Sequence, residues 1–483
     1  MLTNNPFNFD YSYLSLPGKL YSIVKPSSFS NAEVLLWNEK LGAELSLSTK
    51  KPDDFLAWFL EDESNSIAKS YAQAYAGHQF GHFTTLGDGR AIIIGEHLTE
   101  NNKRFDIQLK GSGKTIYSRG GDGKATLRAM LREYLISEAM HSLNMPSSRS
   151  LAVLKTGEPV LRETMHEGAV LVRVMKSHIR VGTFEYAAHF GSLADLKALT
   201  AYTVKRLYPE IEHDEYPVIS LLNKVMIRQI ELVVNWMRVG FIHGVMNTDN
   251  TSISGETFDY GPCAFMNSYH PETVFSSIDR NGRYAFDKQP DIIKWNIARF
   301  AETLLPIIHS DIDISLELAQ TALAGFDKAW QERYYDTMLN KIGIDSNNPE
   351  LYSLVDDLLQ IMKELKMDYT NTFLALSQEI SIENNPINRA DFKPWLEKWQ
   401  DAIDNSNGRQ QAKKLMNRNN PVFIARNHLV EQALDEAVNG DLSLYERLLN
   451  TLSQPYQYQN NCDEYMKPPD KVFEENYKTF CGT

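Results

Sequence analysis

The segment His243–Gly261, HGVMNTDNTSISGETFDYG, concentrates oxygen-bearing side chains that could hold a metal ion beside phosphate. Asn250 offers a neutral amide oxygen and Asp259 an anionic carboxylate, and Mg²⁺ accepts such hard ligands alongside phosphate oxygens and water. Asp249 stands directly beside Asn250, where it could accept a proton or position an attacking group. Asp and Asn are also common turn residues, so each alone is more often structural, but together they favour a metal-assisted site.

The order of these residues is similar to the catalytic segment of protein kinases, where a loop Asn and the Asp of a DFG triplet hold the metal ions. The kinase pattern begins H-R-D, and its third residue is the catalytic base. The third residue here is Val245, which cannot take a proton. The segment therefore predicts a metal-bound nucleotide without the usual kinase base, and leaves Asp249 free for that role.

Two glycine-rich loops lie upstream of this segment. Glycine allows the backbone to approach phosphate closely and to direct several N–H groups towards it. Leu86–Ala91 reads LGDGRA and adds Arg90, whose guanidinium suits phosphate, while Gly120–Lys124 reads GGDGK at the entrance to a helix. Each loop alone is more often a plain turn, but their position in one small region favours nucleotide binding.

A lysine and a helical glutamate could form the ion pair that holds nucleotide phosphates in kinases. Lys110 ends the strand-like stretch DIQLK, and the following helical stretch offers Glu133 and Glu138. Five residues along a helix differ by about 140° in direction, so the two glutamates cannot serve equally. The residues alone leave the choice between them open.

Basic side chains are also concentrated in GAVLVRVMKSHIRVGTFE, which contains Arg173, Lys176, His178 and Arg180. A solvated strand face is one interpretation of this cluster. The alternative is a cationic clamp for a polyphosphate, for which Arg is well suited.

The elements that must position these residues follow a simple order along the chain. The pattern predicts a helical stretch near 30–42, then strands and glycine-rich loops, a helix of about five turns within 125–146, and two more strands. Mainly amphipathic helices follow, including one that leads into the opening segment. We therefore predict an α+β, protein-kinase-like bilobal fold with a small β-rich lobe (1–183), a helical lobe (184–300) and a helical extension (301–483).

Composition limits the classes of partner. The chain has 483 residues and a net charge of −13, from 49 basic and 62 acidic side chains, which argues against nucleic acid or an anionic membrane as partner. There is no signal-like N-terminus and no apolar run of membrane-spanning length. Three cysteines, Cys263, Cys462 and Cys481, form no disulfide framework, so we expect a cytoplasmic protein.

Four segments together closely resemble the selenoprotein O family, and the resemblance runs from about residue 5 to the C-terminus. They are YAGHQFGHFTTLGDGRA, QLKGSGKTIYSRGGDGKATLRAMLREYLISEAM, VRVMKSHIRVGTFE and HGVMNTDNTSISGETFDYGP. The resemblance implies a kinase-like fold that binds ATP in a flipped orientation and transfers AMP to Ser, Thr or Tyr hydroxyls of protein substrates. It also allows UMP transfer from UTP with Mn²⁺, as described for some bacterial members.

The same resemblance implies a role for each matching residue. Asp249 is the catalytic base, Asn250 and Asp259 hold Mg²⁺ or Mn²⁺, and Glu133 rather than Glu138 supports the phosphate-binding lysine. The residues implied to contact the nucleotide are Gly87, Gly89, Arg90, Lys110, Asp122, Gly123, Arg173, Arg180 and Asp259. Of these, Arg173 and Arg180 match the family's paired arginines, which bind the terminal phosphates.

Two rival functions and one cysteine stay open at this level. The rivals are a phosphotransferase that binds its nucleotide in the normal orientation and a nucleotide-binding protein without catalysis. Several family members carry selenocysteine or cysteine near the C-terminus, and this chain ends FCGT with Cys481. A free tail thiol is expected, with pairing to Cys263 as the alternative.

Overall fold

The structure is a computed structural model, and it describes most of the chain. The described residues are 6–47, 69–346, 348–377, 389–406 and 408–480, together with Leu56, Phe59 and Ile387. Cys481, and with it the expectation of a free or paired tail thiol, lies outside the described residues.

An eight-stranded antiparallel sheet forms the N-terminal part. Its strand order is β2-β4-β7-β8-β10-β9-β3, and β1 pairs with β7. A separate hairpin consists of β5 and β6, and a second two-stranded sheet of β11 and β12. The strands are β1 Phe9–Asp10, β2 Tyr21–Ile23, β3 Glu33–Trp37, β4 Tyr71–Gln73, β5 Ala76–Gln79, β6 His82–Thr85, β7 Ala91–Leu98, β8 Arg104–Lys110, β9 Arg149–Leu161, β10 Met165–Met175, β11 Phe241–Ile242 and β12 Ala264–Phe265.

The helices follow mainly after this sheet. They are α1 Glu39–Glu44, α2 Leu127–Ser142, α3 Val181–Phe190, α4 Leu193–Leu207, α5 Pro217–Arg238, α6 Gln289–Ile308, α7 Ile312–Ala324, α8 Phe326–Lys341, α9 Tyr352–Glu364, α10 Tyr369–Leu376, α11 Lys393–Asn405, α12 Gly408–Asn419, α13 Asn427–Val438, α14 Ser443–Leu452 and α15 Lys471–Asn476. The predicted five-turn helix is α2, which Thr126 caps by accepting the Ala129 amide.

The helix predicted near 30–42 is only partly correct. Residues 33–37 form strand β3, which pairs with β9 through contacts such as Val34 with Leu154, and only α1 is helical. The run Val-Leu-Leu-Trp fits either period over so short a length. Pairing with the edge of a large sheet decides in favour of the strand.

Both faces of the sheet are covered, and successive side chains along each strand point to opposite faces. Leu171 and Ile93 join the largest apolar cluster, which continues into α2 and the central helices. Leu109 and Val172 point to the other face, where the N-terminal segment packs. Because Lys110 is opposite Leu171 in the ladder, Lys110 and Arg173 lie on the α2 face of the sheet.

A second apolar cluster joins the C-terminal helices. Beside it, the buried Arg426 donates hydrogen bonds to Asp368 at 2.6 and 3.1 Å and to the Met466 carbonyl at 2.9 Å. The predicted α+β architecture, with a β-rich N-terminal region and helical remainder, is confirmed. The predicted boundary at 183 and 184 falls inside α3, and the three-part division stays a prediction. In the described part of the chain, no helix is long and apolar enough to cross a membrane.

Buried hydrogen bonds hold the loop between Asn250 and Asp259. Glu256 accepts from Ser254 Oγ at 2.7 Å and from the Lys176 amide at 3.1 Å through the same carboxylate oxygen. Burial outweighs the nearby Lys176 charge and raises the pKa of Glu256 from 4.5 to about 7. This loop thus contains a carboxyl group that resists ionisation when the chain is folded.

We expect Glu256→Gln to change how stability depends on pH. The folded state binds the extra proton between the ordinary pKa of 4.5 and the folded pKa of about 7, so wild-type stability falls as pH rises through this window. The neutral Gln removes that loss. Chemical denaturation at pH 5 and at pH 8 measures this difference. Between the two pH values, the unfolding free energy of the variant relative to wild type should rise by on the order of 1–3 kcal/mol.

The matched control is Glu397→Gln, at an exposed glutamate on α11. Its unfolding free energy should follow the wild-type curve. Parallel curves for Glu256→Gln and wild type would contradict the assignment of this pH dependence to Glu256.

Candidate active site

A cavity of about 610 Å³ is lined by half of the predicted site residues. It lies where the sheet, helix α2 and the catalytic segment meet. The predicted residues that line it are Arg90, Lys110, Glu133, Asp249, Asn250 and Asp259. Val245, at the position of the missing kinase base, lines the same cavity.

Four charged side chains form one connected cluster beside the cavity, and three of them, Lys110, Glu133 and Asp259, line it. Lys110 Nζ donates to Glu133 Oε2 at 2.6 Å and also pairs closely with Asp259. Arg173 donates through Nε to Glu133 Oε1 at 2.8 Å and through Nη2 to Asp259 Oδ1 at 3.2 Å. Each anion therefore bridges both cations, and the cluster is neutral overall.

The charges in this cluster sustain one another. Burial opposes ionisation of Glu133, but Arg173 and Lys110 hold its pKa below the ordinary value. Desolvation also opposes ionisation of the partly exposed Asp259, yet Lys110, Arg173 and Arg90 hold its pKa well below its usual range. Both carboxylates are thus ionised at neutral pH, as metal ligation and lysine positioning require.

Glu138, the alternative left open by the sequence, faces a different partner. Its carboxylate accepts from Arg149 Nε at 2.9 Å and from the Ser150 amide at 3.0 Å. Glu133 instead pairs with Lys110, as a helix glutamate pairs with the strand lysine in protein kinases, and Asn250 and Asp259 line the same cavity.

Asp249 is a buried carboxylate of different character. Burial, opposed mainly by the charge of Arg180, raises its pKa to about 7. Among the described residues its Oδ1 has no hydrogen-bond partner, and a Cβ added to Gly77 would lie 2.4 Å from this oxygen. A carboxyl group with a pKa near neutrality can exchange a proton with a substrate, which is the property expected of a general base.

Asn250 and Asp259 fit a hard divalent cation in their donor chemistry. Asn250 donates its amide N–H to the Val245 carbonyl at 2.9 Å, which fixes the side chain at the cavity wall. The Asp259 side chain is 38 % exposed. The backbone of Asp259 has a φ of 66°, a region that Asp tolerates better than most residues. Within the described ranges no group of three or more His, Cys, Asp or Glu side chains could hold a metal. One carboxylate and one amide suit Mg²⁺, whose remaining ligands are phosphate and water.

The predicted paired arginines meet at one aromatic ring. The guanidinium carbon of Arg173 lies 5.7 Å and that of Arg180 4.9 Å from the centre of the Phe258 ring. Arg180 also stacks on Tyr75 at 4.0 Å, and its Nη2 lies 3.6 Å from Asp88. Both arginines are buried behind the described residues that line the cavity.

The glycines of both glycine-rich loops pack against the segment that lies between the loops, and they lie outside the described lining, to which the first loop contributes Arg90. Gly87 has φ of 126°, and a Cβ there would lie 2.3 Å from the Tyr117 ring; at Gly89 the Tyr117 carbonyl is the nearest obstacle, at 2.9 Å. Gly123 has φ of 72°, and a Cβ there would lie 2.1 Å from the Gly113 carbonyl. These positions require glycine so that each loop can approach the segment between them this closely. The neighbouring Asp122 accepts from Arg162 at 2.8 Å.

Residues not predicted from sequence form the outer wall of the cavity. They come from α2, from α13 and from the C-terminal segment, and include Arg128, Arg132, Glu431, Tyr477, Lys478 and Thr479. Arg132 donates to the carbonyl of Cys263 at 2.8 Å and to Glu431 at 3.0 Å. Arg128 and Arg132 are four residues apart on the helix that carries Glu133, so they share a face of it, and this spacing was the sequence signal for them. The residues from α13 and the C-terminal segment reach the cavity through tertiary contacts, which no local sequence pattern indicates.

Cys263 itself is a buried free thiol. Burial raises the pKa of Cys263 to about 11, so it stays protonated at neutral pH.

A family model and several similar proteins point to the same protein family. A family model described as protein adenylyltransferase SelO matches residues 5–453. Relatives named protein nucleotidyltransferase YdiU are 49% identical in Bacillus mycoides, over 99% of this chain and 98% of the relative, and 49% in Bacillus cereus, over 100% of both. A Clostridium perfringens relative of that name is 47% identical over 99% of this chain and 98% of its own length.

Among solved structures, the chain is similar to the Toxoplasma gondii rhoptry antigen kinase domain, with a TM-score of 0.22 and 10% identity. That similarity covers 61% of this chain and 88% of the kinase domain, and the fold described above does not depend on it.

The two helix glutamates provide a matched test of the charge cluster. Glu133→Gln removes the anion shared by Lys110 and Arg173, so the lysine should no longer be held towards phosphate. We expect magnesium-ATP affinity, measured by calorimetry, to fall roughly tenfold or more. Glu138→Gln, on the same helix but paired with Arg149, should bind as wild type does. Equal losses in the two variants would contradict the positioning role of Glu133.

Proposed function

Because this chain belongs to the SelO family of protein adenylyltransferases, we propose that it transfers AMP from ATP to Ser, Thr or Tyr hydroxyls of protein substrates. The resemblance found in the sequence is thereby confirmed, and with it the assignment of the chain to the nucleotidyltransferases.

One observation carries the proposal. The cavity contains the kinase-like lysine, glutamate, asparagine and aspartate, yet Val245 stands where a kinase has its base. Asp249 instead supplies a buried carboxylate with a pKa of about 7 at another point of the same cavity. A base in a different place suits a reaction centred on a different phosphorus atom.

We propose that ATP binds in the flipped orientation, with its α-phosphate at Asn250 and Asp259 and its β- and γ-phosphates directed towards Arg173 and Arg180. The pairing of both guanidinium groups on the Phe258 ring supports a shared role. Gly87, Gly89, Arg90, Asp122 and Gly123 are proposed to complete the nucleotide site. For this purpose Arg173 must exchange part of its contact with Asp259 for phosphate oxygen.

In the chemical step, the substrate hydroxyl oxygen attacks the α-phosphorus while Asp249 accepts the hydroxyl proton. A bond forms between that oxygen and the α-phosphorus, and the bond from the α-phosphorus to the bridging oxygen of the β-phosphate breaks. The products are the AMP-modified protein and pyrophosphate. Lys110, oriented by Glu133, stabilises negative charge on the phosphates during the transfer.

Asn250 and Asp259 would hold the divalent cation, Mg²⁺ or Mn²⁺, which when bound neutralises charge on the phosphate oxygens. The same residues would serve UTP and UMP transfer with Mn²⁺.

Label placement tests the reaction directly. We expect label from α-³²P-ATP, and not from γ-³²P-ATP, to appear covalently on protein, including the enzyme itself. Asp249→Asn should lower the transfer rate by roughly a hundredfold or more, because the amide cannot accept the proton. Asp327→Asn, an exposed aspartate on α8, is the control and should transfer normally. Label from the γ-phosphate would establish the rival phosphotransferase, and no label with intact ATP binding would establish the non-catalytic alternative. The same assay with α-³²P-UTP and Mn²⁺ tests UMP transfer.

The flipped orientation has its own test. If Arg173 and Arg180 hold the terminal phosphates, replacing both with Ala should weaken ATP by about ten- to a hundredfold but leave AMP binding nearly unchanged. Calorimetry with each nucleotide measures the difference, and near-ultraviolet circular dichroism checks that the variant is folded. Equal losses for ATP and AMP would contradict this placement of the phosphates.

A further inference from the structure

The β5–β6 hairpin lies against the catalytic loop, and backbone amides of the hairpin donate hydrogen bonds to side chains of the loop. The His78 amide donates to Thr248 Oγ1 at 2.7 Å, and the Phe80 amide donates to Asn247 Oδ1 at 3.1 Å. Tyr284 OH also donates to the Asn247 oxygen, at 2.5 Å. The two residues that precede Asp249 are therefore fixed from outside their own loop.

Glu185, on helix α3, completes this connection through its side chain. It is 4 % exposed and accepts from Thr248 Oγ1 through Oε2 at 2.7 Å, while its Oε1 lies 2.6 Å from His78 Nδ1. The Thr248 hydroxyl thus donates to the helix carboxylate and accepts from the hairpin amide. One hydroxyl links three separate elements.

Close backbone contacts place Asp249 inside the same junction. A Cβ on Gly77 would lie 2.4 Å from Asp249 Oδ1, and a Cβ on Gly182 would lie 3.3 Å from the Asp249 Cα and 2.0 Å from the Ala76 carbonyl. The hairpin backbone at Gly77 therefore packs against the Asp249 carboxylate, and the start of α3 at Gly182 packs against the Asp249 backbone and the hairpin. A shift of the hairpin or of α3 must displace the carboxylate.

We propose that His78, Glu185 and Thr248 are positioning residues that hold the Asp249 carboxylate in its reactive place. This inference rests on the proposed role of Asp249 as base, and it adds residues that do not themselves touch nucleotide. Ordered contacts of this kind affect rate more than binding, because a displacement of about 1 Å at a reacting group can lower a rate by roughly a hundredfold.

The sharpest variant is Thr248→Val, which keeps the side-chain shape and removes the hydroxyl that joins the three elements. We expect kcat for AMP transfer to fall roughly tenfold to a hundredfold while the affinity for magnesium-ATP changes by less than about twofold. Thr248→Ser restores the hydroxyl and should recover most of the rate. A purely structural role predicts instead that melting temperature falls while the rate at permissive temperature is kept.

A matched pair of histidines on one hairpin provides the second test. His78→Ala removes the imidazole that contacts Glu185, and should lower kcat in the same way as Thr248→Val. His82→Ala changes an exposed histidine on β6 and should leave kcat and binding unchanged. This pair remains informative if Thr248→Val fails to fold, since His78 is partly exposed.

Hydrogen exchange of the 247–251 amides separates this proposal from the proposed function. Exchange of these amides should accelerate in Thr248→Val and His78→Ala but not in His82→Ala, with or without nucleotide. If wild type shows no AMP transfer, the proposed function fails while the exchange test still decides whether the network orders the loop. Unchanged exchange in both variants, or an unchanged kcat in a folded Thr248→Val protein that transfers AMP, would overturn the positioning proposal.

Discussion

The site depends on one buried cluster in which two cations and two anions each require the others. A buried carboxylate or ammonium is expensive to remove from water unless it is paired and hydrogen-bonded. Lys110 and Arg173 come from adjacent strands, Glu133 from α2 and Asp259 from the end of the segment His243–Gly261. Sheet, helix and loop must therefore all be in place before all four charges are compensated. The cluster makes formation of the cavity a consequence of packing three elements together.

The two aspartates of the cavity differ in their electrostatic environment and therefore in their pKa. Asp259 is surrounded by Lys110, Arg173 and Arg90, which hold its pKa well below the ordinary range. Asp249 lies ten residues earlier in a less compensated environment, where burial raises the pKa to about 7. Environments that separate the pKa values of two carboxyl groups suit them to different roles, here the proposed ones of permanent anion for Asp259 and proton acceptor for Asp249. Hairpin and helix backbones that press against Asp249 leave little room for solvent to stabilise its charge.

Much of this arrangement could be predicted because its determinants are local. The α+β class followed from the periodicity of the strands and helices, and Lys110, Asp249, Asn250 and Asp259 stood out by residue type and spacing. The choice of Glu133 over Glu138 came from the family resemblance, since helix geometry shows only that the two diverge. The β3 segment was misjudged because five residues carry too little periodicity to outweigh pairing with β9. The contacts of Thr248 with His78 and Glu185 join positions 170 and 63 residues apart, and no local pattern encodes such contacts.

Charge balance explains why a metal ion belongs to the proposed reaction. The cluster is neutral before nucleotide enters, so Lys110 and Arg173 are already compensated by Glu133 and Asp259. A triphosphate then brings several negative charges into a chain whose net charge is −13. Phosphate oxygens near Asp259 would meet an ionised carboxylate, and like charges at close range in a buried site repel strongly. A divalent cation between the Asp259 carboxylate and the phosphate turns that repulsion into shared ligation, which a lysine already paired with two anions cannot do alone.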